Sequence, residues 1–404
     1  MKRLIQTYFE AFKGLPPTVW QLSFIFFVNR AGSMVFPFLS IYFVSQLEFS
    51  PTQTGFLVSS FGWGSVIGSF VGGALCTRFS PVWVQVVSLS VMGTCFYLLV
   101  GLTDPIWIGC ILMIAGCSGD AFRPANWVAM TQVCPSHLRA RAFGLNRVFI
   151  NLGWAVGPAL AGVLAIQNYN LLFYVNSATG LLCAILCIFI FRNVVLTPKK
   201  KNKGDTLIQT ARVVLKTPTF IATQVALILS TVVFFQLYTA LPVYFKQSLG
   251  WNEGQIGILY AINPVMIVLL EVVLLKRVEK ALLFKVMSLG VVLIGLSVVG
   301  ISISTSYFVV MLLIMTMTLG EIYLFPLVST HVSKIAPESM LGHFMGIHSS
   351  VFSLGVVLAP TLGLWIYPYG IHWVGIGSLG FCALALVLLL KLIHDSKSAS
   401  NESC

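Results

Sequence analysis

Charge is what this 404-residue sequence lacks most: Asp, Glu, Lys and Arg make up 9% of it, where a soluble domain carries about 25%. With 57% hydrophobic residues and a mean hydropathy of +0.93, a soluble core of this size cannot hide the apolar surface, and lipid must be the solvent for most of the chain. Cysteine pairing is missing too. The nine cysteines are scattered, none forms a C-x-x-C pair, and Cys183 and Cys187 lie one turn apart in an apolar run. They read as small hydrophobes. There is no H-x-x-x-H pair, no Ser-His-Asp set and no Gly-rich phosphate loop or Walker A motif. Neither an enzyme, a metal site nor an ATP-driven pump therefore has support.

What is present is a series of twelve apolar stretches, each long enough to cross a hydrocarbon core of about 30 Å. Their expected spans are 18–45, 53–77, 82–101, 106–133, 139–166, 170–192, 219–246, 254–276, 282–302, 307–333, 340–367 and 371–391. The expected fold class is an all-α membrane protein of two six-helix bundles, 18–192 and 218–392. A basic linker, 193–217, joins them; it holds Lys199, Lys200, Lys201, Lys203, Arg212 and Lys216. Residues 1–17 read as an interfacial helix rather than a cleavable signal, with Leu4, Ile5, Tyr8, Phe9 and Phe12 on one face. Residues 393–404 read as a tail.

The net charge of +12 invites a nucleic-acid reading, and its distribution removes it. With the N-terminus in the cytoplasm, 20 of the 24 Lys and Arg residues fall in cytoplasmic segments. Lys246 alone lies outside, and Arg30, Arg123 and Arg147 lie within spans. That asymmetry is a topology signal and places both termini in the cytoplasm. The expected partners are the bilayer and a small-molecule solute, with no nucleic acid, and the chain is expected to be a monomer in the cytoplasmic membrane.

The sequence also repeats itself at an offset of 202 residues. Tyr42-Phe43 meets Tyr244-Phe245, Leu47 meets Leu249, and Gly55 meets Gly257. Pro124 and Pro135 meet Pro326 and Pro337; Gly144, Gly153 and Pro158 meet Gly346, Gly355 and Pro360. Six spans separate equivalent positions, so the repeats are parallel, and a site is expected where the two halves meet near mid-membrane.

These features together resemble the major facilitator superfamily over essentially the whole chain. The stretch Gly153-Trp-Ala-Val-Gly157-Pro158-Ala-Leu-Ala-Gly162 is similar to the fifth-helix motif of its drug/H⁺ antiporter branches. Read as residues alone, Gly153 and Gly157 let a neighbouring helix approach, and Pro158 removes a backbone donor. The loop after span 2 keeps Gly73, Leu75 and Arg78 of that family's pattern, while Thr77 stands where the acid is usual and Ser80-Pro81-Val82 where glycine and two basic residues are. The resemblance implies a secondary transporter working by alternating access, with spans 1 and 5 lining its cavity.

Six ionisable residues fall inside spans: Arg30, Asp120, Arg123, Arg147, Glu271 and Glu321. Each charge near the bilayer centre costs about 2.5–3.5 kcal/mol, so it has to face a bundle interior or water. Asp120 and Arg123 sit at i and i+3 and can pair. Gly119-Asp120 and Gly320-Glu321 are repeat equivalents to within one position. A structural ion-pair network is one reading; the other is that at least one acid cycles a proton, the expected coupling ion, with no other cofactor. His331 and His343 lie near helix ends, and His348, deeper, is a second titrating candidate. Phe122, Trp127, Phe149, Trp154 and Tyr323 are candidate pocket aromatics, with helix packing the commoner role. The function expected is proton-coupled efflux. The alternatives are import of an anionic or zwitterionic metabolite, and a non-transporting sensor.

Overall fold

Apolar runs of this length leave the backbone one way to satisfy its own polar groups in lipid, which is to coil. The computed structural model describes residues 12–192, 194, 196–197, 213–214, 216–275, 278, 282–337 and 341–401, and the side chains of all these except 140, 341–343 and 395–401. The expected interfacial helix (all but 12–17) and most of the linker lie outside the described residues. Every regular element among them is helical.

Among the described residues, twelve helices are long and apolar enough to span a membrane: Pro17–Ser45, Pro51–Leu75, Pro81–Leu98, Pro105–Val133, Arg141–Gln167, Asn170–Phe191, Pro218–Gln247, Glu253–Leu275, Leu283–Ile303, Tyr307–Ile335, Phe344–Tyr369 and Ile371–His394. They are called spans 1 to 12. Ile106 and Ile303 are each 75% exposed and Phe308 71%, so the outer surface is one that lipid, not water, can cover. Pro51, Pro81 and Pro105 each open a helix. At that position the missing N–H costs nothing, so these prolines start spans as much as they interrupt the chain between them.

Two spans change their winding partway along. Span 1 breaks between Gly32 and Val35, where the Val35 N–H donates to Asn176 Oδ1 of span 6 at 3.5 Å. Span 7 tightens into a 3₁₀ turn at Phe235–Tyr238, at the equivalent place in the repeat.

The chain packs as two units. The first takes 1–38, 60–201 and 252–268; the second takes 39–59, 202–251 and 269–404. The start of span 8 thus packs with the first unit, and the start of span 2 with the second. The reason is visible in each. In the first, a Cβ on Gly257 would stand 2.7 Å from the Pro158 carbonyl oxygen of span 5. In the second, a Cβ on Gly55 would stand 2.7 Å from the Pro360 carbonyl oxygen of span 11. Gly55 and Gly257, and Pro158 and Pro360, are equivalent pairs at the 202-residue offset.

The repeat extends to single hydrogen bonds. Leu47 N–H donates to Tyr42 O at 3.2 Å and Phe49 N–H to Phe43 O at 2.9 Å. Their equivalents are Leu249 to Tyr244 O at 3.2 Å and Trp251 to Phe245 O at 3.0 Å. Both turns need a left-handed residue, Glu48 at φ 56° and Gly250 at φ 68°.

Candidate functional site

The first unit collects four of the six intramembrane charges. Asp120 and Arg123, one turn apart on span 4, form the ion pair expected of them, Arg123 Nη2 to Asp120 Oδ1 at 2.6 Å. Their side chains are 16% and 33% exposed, so the pair is neither dry nor fully solvated. Arg30 of span 1 lies close enough for both charges to act on it. Its guanidinium sits 5.3 Å from the Phe26 ring centre and 5.9 Å from that of Trp154. An aromatic face holds a cation by about 0.5–2 kcal/mol while leaving the N–H donors at the guanidinium edge available. Arg147 is exposed, near the start of span 5. It is not one of the buried charges of its unit.

The expected motif in span 5 is a packing face on two sides. A Cβ on Gly153 would meet Arg30 Cβ at 2.6 Å and Phe27 O at 2.8 Å, and one on Gly157 would meet Ala31 O at 3.0 Å. Gly153 therefore fixes how closely the Arg30 backbone approaches span 5. Pro158 and Gly162 face span 8 instead; a Cβ on Gly162 would stand 3.1 Å from Gly257 Cα. Gly73 has open space around it, and Arg78 is exposed beyond the end of span 2. Among the aromatic candidates, Phe122 is fully buried against Phe26 with ring centres 4.9 Å apart. Phe149 packs on Trp20 and Phe27, and Trp127 on Phe143. Trp154 lies beside one of the charges, its ring centre 5.9 Å from the Arg30 guanidinium.

The second unit holds Glu271, which is buried, and Glu321, which is partly buried and close enough to Tyr238 to act on it. His331 is buried against Phe284, ring centres 5.0 Å apart. The side chain of His343 lies outside the described residues.

Two features escaped the sequence reading. Gly64, Gly68 and Gly72 of span 2 lie against the backbone carbonyls of Met113, Cys117 and Ala121 in span 4. Their four-residue spacing was the available signal, and they hold the helix that carries Asp120 and Arg123. The other is a pair of buried polar knots. In the first unit Asn126 Nδ2 donates to Leu22 O and Gln85 Oε1, both at 3.3 Å, and Asn146 Nδ2 donates to Asn126 Oδ1 at 3.4 Å. In the second unit His348 joins Gln224 and Ser329.

With that geometry in place, likeness to known proteins can be weighed. The description "Major Facilitator Superfamily" matches residues 22–347 and 283–403. A Na(+), Li(+), K(+)/H(+) antiporter of Planococcus maritimus is 26% identical, over 93% of this chain and 96% of its own. Multidrug resistance protein 1 of Bacillus subtilis is 23% identical, over 82% of this chain and 84% of its own. A solved POT family transporter in complex with a thioalcohol conjugated peptide superposes with a TM-score of 0.77 at 17% identity, covering 96% of this chain and 98% of that one. That likeness concerns the fold.

Proposed function

This chain belongs to the Major Facilitator Superfamily, and from that premise we propose that it is a proton-coupled exporter of a small solute, working by alternating access in the cytoplasmic membrane. The observation that carries the coupling is the Asp120–Arg123 pair at 2.6 Å with Arg30 beside it. A proton on Asp120 cancels its charge, breaks the ion pair and leaves two guanidiniums together. Like charges in a weakly screened site repel by several kcal/mol, so protonation favours a rearrangement. A carboxylate that responds in this way can link a proton gradient to a conformational change. Export is supported by the span 5 motif, whose glycines and proline seat spans 1 and 8, and by relatives named for multidrug resistance and cation/H⁺ antiport. Both termini are cytoplasmic in this reading, the solute is a small molecule, the only coupling ion is the proton, and the monomer is the working unit.

The test is transport in proteoliposomes under an imposed pH gradient. Asp120→Asn is expected to abolish gradient-driven accumulation and to keep solute exchange. If Asp120→Asn, Glu271→Gln and Glu321→Gln all keep full gradient dependence, proton coupling through these acids is wrong. Reporter fusions after residues 48, 104 and 168 report the outside if the orientation is right, and fusions near 79, 137 and 279 report the cytoplasm.

One observation favours a second reading. The Arg30 guanidinium lies over the aromatic rings of Phe26 and Trp154, an arrangement suited to receiving the carboxylate or phosphate of a solute. Import of an anionic metabolite predicts that Arg30→Ala leaves thermal stability near wild type and weakens anion binding at least tenfold. Export of a cation or neutral solute predicts no such loss.

A further inference from the structure

We infer that His348, in span 11, is a reversible proton-binding site, held with Gln224 of span 7 and Ser329 of span 10 in one hydrogen-bonded knot that has a partner for the ring in both of its protonation states. His348 is 8% exposed and Gln224 6%. The ring Nδ1 stands 3.1 Å from Gln224 Oε1, and Nε2 stands 2.8 Å from Ser329 Oγ. Ser329 Oγ in turn lies 3.1 Å from Phe325 O, to which it donates.

The donor arithmetic of this chain is specific. An amide oxygen only accepts, so Gln224 Oε1 requires a proton on Nδ1. A hydroxyl has one proton; with it directed at Phe325 O, Ser329 can only accept from the ring, which requires a proton on Nε2. With the hydroxyl so directed both ring nitrogens donate, as in an imidazolium; with the hydroxyl turned to donate to Nε2, the same distances hold the neutral ring protonated on Nδ1. Loss of one proton from Nδ1 to water is met by a half-turn of the Gln224 amide, so that its Nε2 donates to the bare ring nitrogen. Gln224 Nε2 is a buried group without a hydrogen-bond partner in the arrangement seen. It is a second donor, beside the Ser329 hydroxyl, open to the neutral ring.

The repeat sharpens the assignment. At the 202-residue offset His348 corresponds to Asn146, and Gln224 to Leu22. Asn146 also sits in a buried polar knot, reaching Leu22 O through Asn126, although the third member differs, Asn126 corresponding to Val328 and Ser329 to Trp127. A helix tie at this place therefore needs no titratable group. The first unit makes its tie from amides alone, and the second places an imidazole there.

Few other titratable groups face the ring. Span 7 carries none between Pro218 and Phe234. Span 10 carries His331 and Lys334 toward its end, Tyr323 and Glu321 about two turns from Ser329 on the other side, with Tyr238 beside Glu321, and Tyr307 at its start. Span 12 carries Lys391 and His394 near its end. The ring's own hydrogen bonds go to Gln224 and Ser329.

The site stands apart from the direction of transport and from coupling through Asp120, so its test does not use flux. The full chain, labelled at its six histidines, is titrated in detergent by nuclear magnetic resonance from about pH 4 to 8, the range across which environments move imidazole. His348→Asn, the residue that its repeat equivalent carries, identifies the resonance; His348→Gln does so if the first variant does not fold. One protonation step of the His348 ring is expected. In Gln224→Leu the charged ring loses an acceptor, and its proton affinity should fall at least tenfold, one pH unit or more. A His348 ring whose resonances stay flat across the range overturns the proposal. So does a ring that titrates at the same midpoint in Gln224→Leu, because the knot would then have no part in it.

Discussion

The two buried knots compare a fixed tie with a responsive one at equivalent places in two copies of one fold. Asn146 and Asn126 hold spans 4 and 5 against the Leu22 carbonyl with groups that keep their charge at every accessible pH. His348, Gln224 and Ser329 do the same for spans 7, 10 and 11 with a group that does not. The backbone is shared more faithfully than the chemistry. The turns at 47–49 and 249–251 match bond for bond, and the paired contacts Gly55–Pro360 and Gly257–Pro158 match in distance. A duplicated helix frame fixes where atoms can be placed, and substitutions then decide what each copy does.

The largest expected effect breaks that likeness where only one copy relies on glycine. In the first unit Gly68 lies against the Cys117 backbone carbonyl; its equivalent in span 8 is Leu270. Gly68→Leu should destabilise by more than about 3 kcal/mol, since backbone cannot yield as a side chain does. Leu270→Gly should cost less and leave folded protein. Thermal unfolding in detergent compares them, and equal losses would mean that the span 2–4 contact is not set by glycine.

Next in size are Gly55→Ala and Gly257→Ala. Each adds a Cβ 2.7 Å from a proline carbonyl oxygen, and each should cost about 1–3 kcal/mol. The losses should agree within about 0.5 kcal/mol if the contacts are equivalent in energy as in geometry, and add in the double variant because the sites share no partner.

How much of this was legible follows from where each signal is written. The twelve spans are carried by long local runs, and the Asp120–Arg123 pair by charges one turn apart. The break at Ser33–Met34 is marked by Pro37, which has no N–H for the Ser33 carbonyl, but its partner is not: it is held by Asn176, 141 residues from Val35. The 3₁₀ turn at Phe235–Tyr238 is similar: Gln236 Nε2 donates to Ala359 O, 123 residues away. The His348 knot draws on Gln224 at a separation of 124, and serine and glutamine are too ordinary in helices to reveal it. Charges stand out against an apolar background, and neutral polar contacts between distant helices do not.

A third comparison concerns a tie that only one unit has. Tyr169 donates to Glu253 Oε1 at 2.7 Å, joining the connection between spans 5 and 6 to the start of span 8. The equivalent positions are Ile371 and Pro51. Tyr169→Phe leaves Glu253, 6% exposed, short of a donor and should cost about 1–3 kcal/mol. Burial first, and then the bond to Glu253, push the tyrosine hydroxyl above its ordinary range. A group raised on folding stabilises fully below its unfolded value, near pH 10, and loses that contribution as pH rises further. The difference between wild type and Tyr169→Phe should therefore be constant from about pH 6 to 9. A difference that vanishes near neutrality would mean that the bond is not made.

The smallest effect is the sharpest test of the repeat, because one position differs in the residue and not in the backbone. Glu48 and Gly250 both adopt left-handed φ, 56° and 68°, after helix ends whose carbonyls take matching bonds. A side chain in that region costs about 1–2 kcal/mol relative to the right-handed one, while glycine enters it freely but loses more entropy on folding. Glu48→Gly should thus be neutral to stabilising by up to about 1 kcal/mol, and Gly250→Ala should destabilise by about 1 kcal/mol. Opposite signs at equivalent positions follow only if both turns keep one backbone conformation and differ in how well the residue suits it. If Glu48→Gly destabilises by more than about 1 kcal/mol, the glutamate side chain is holding the turn through a contact of its own, and the two turns are alike in shape but not in cause.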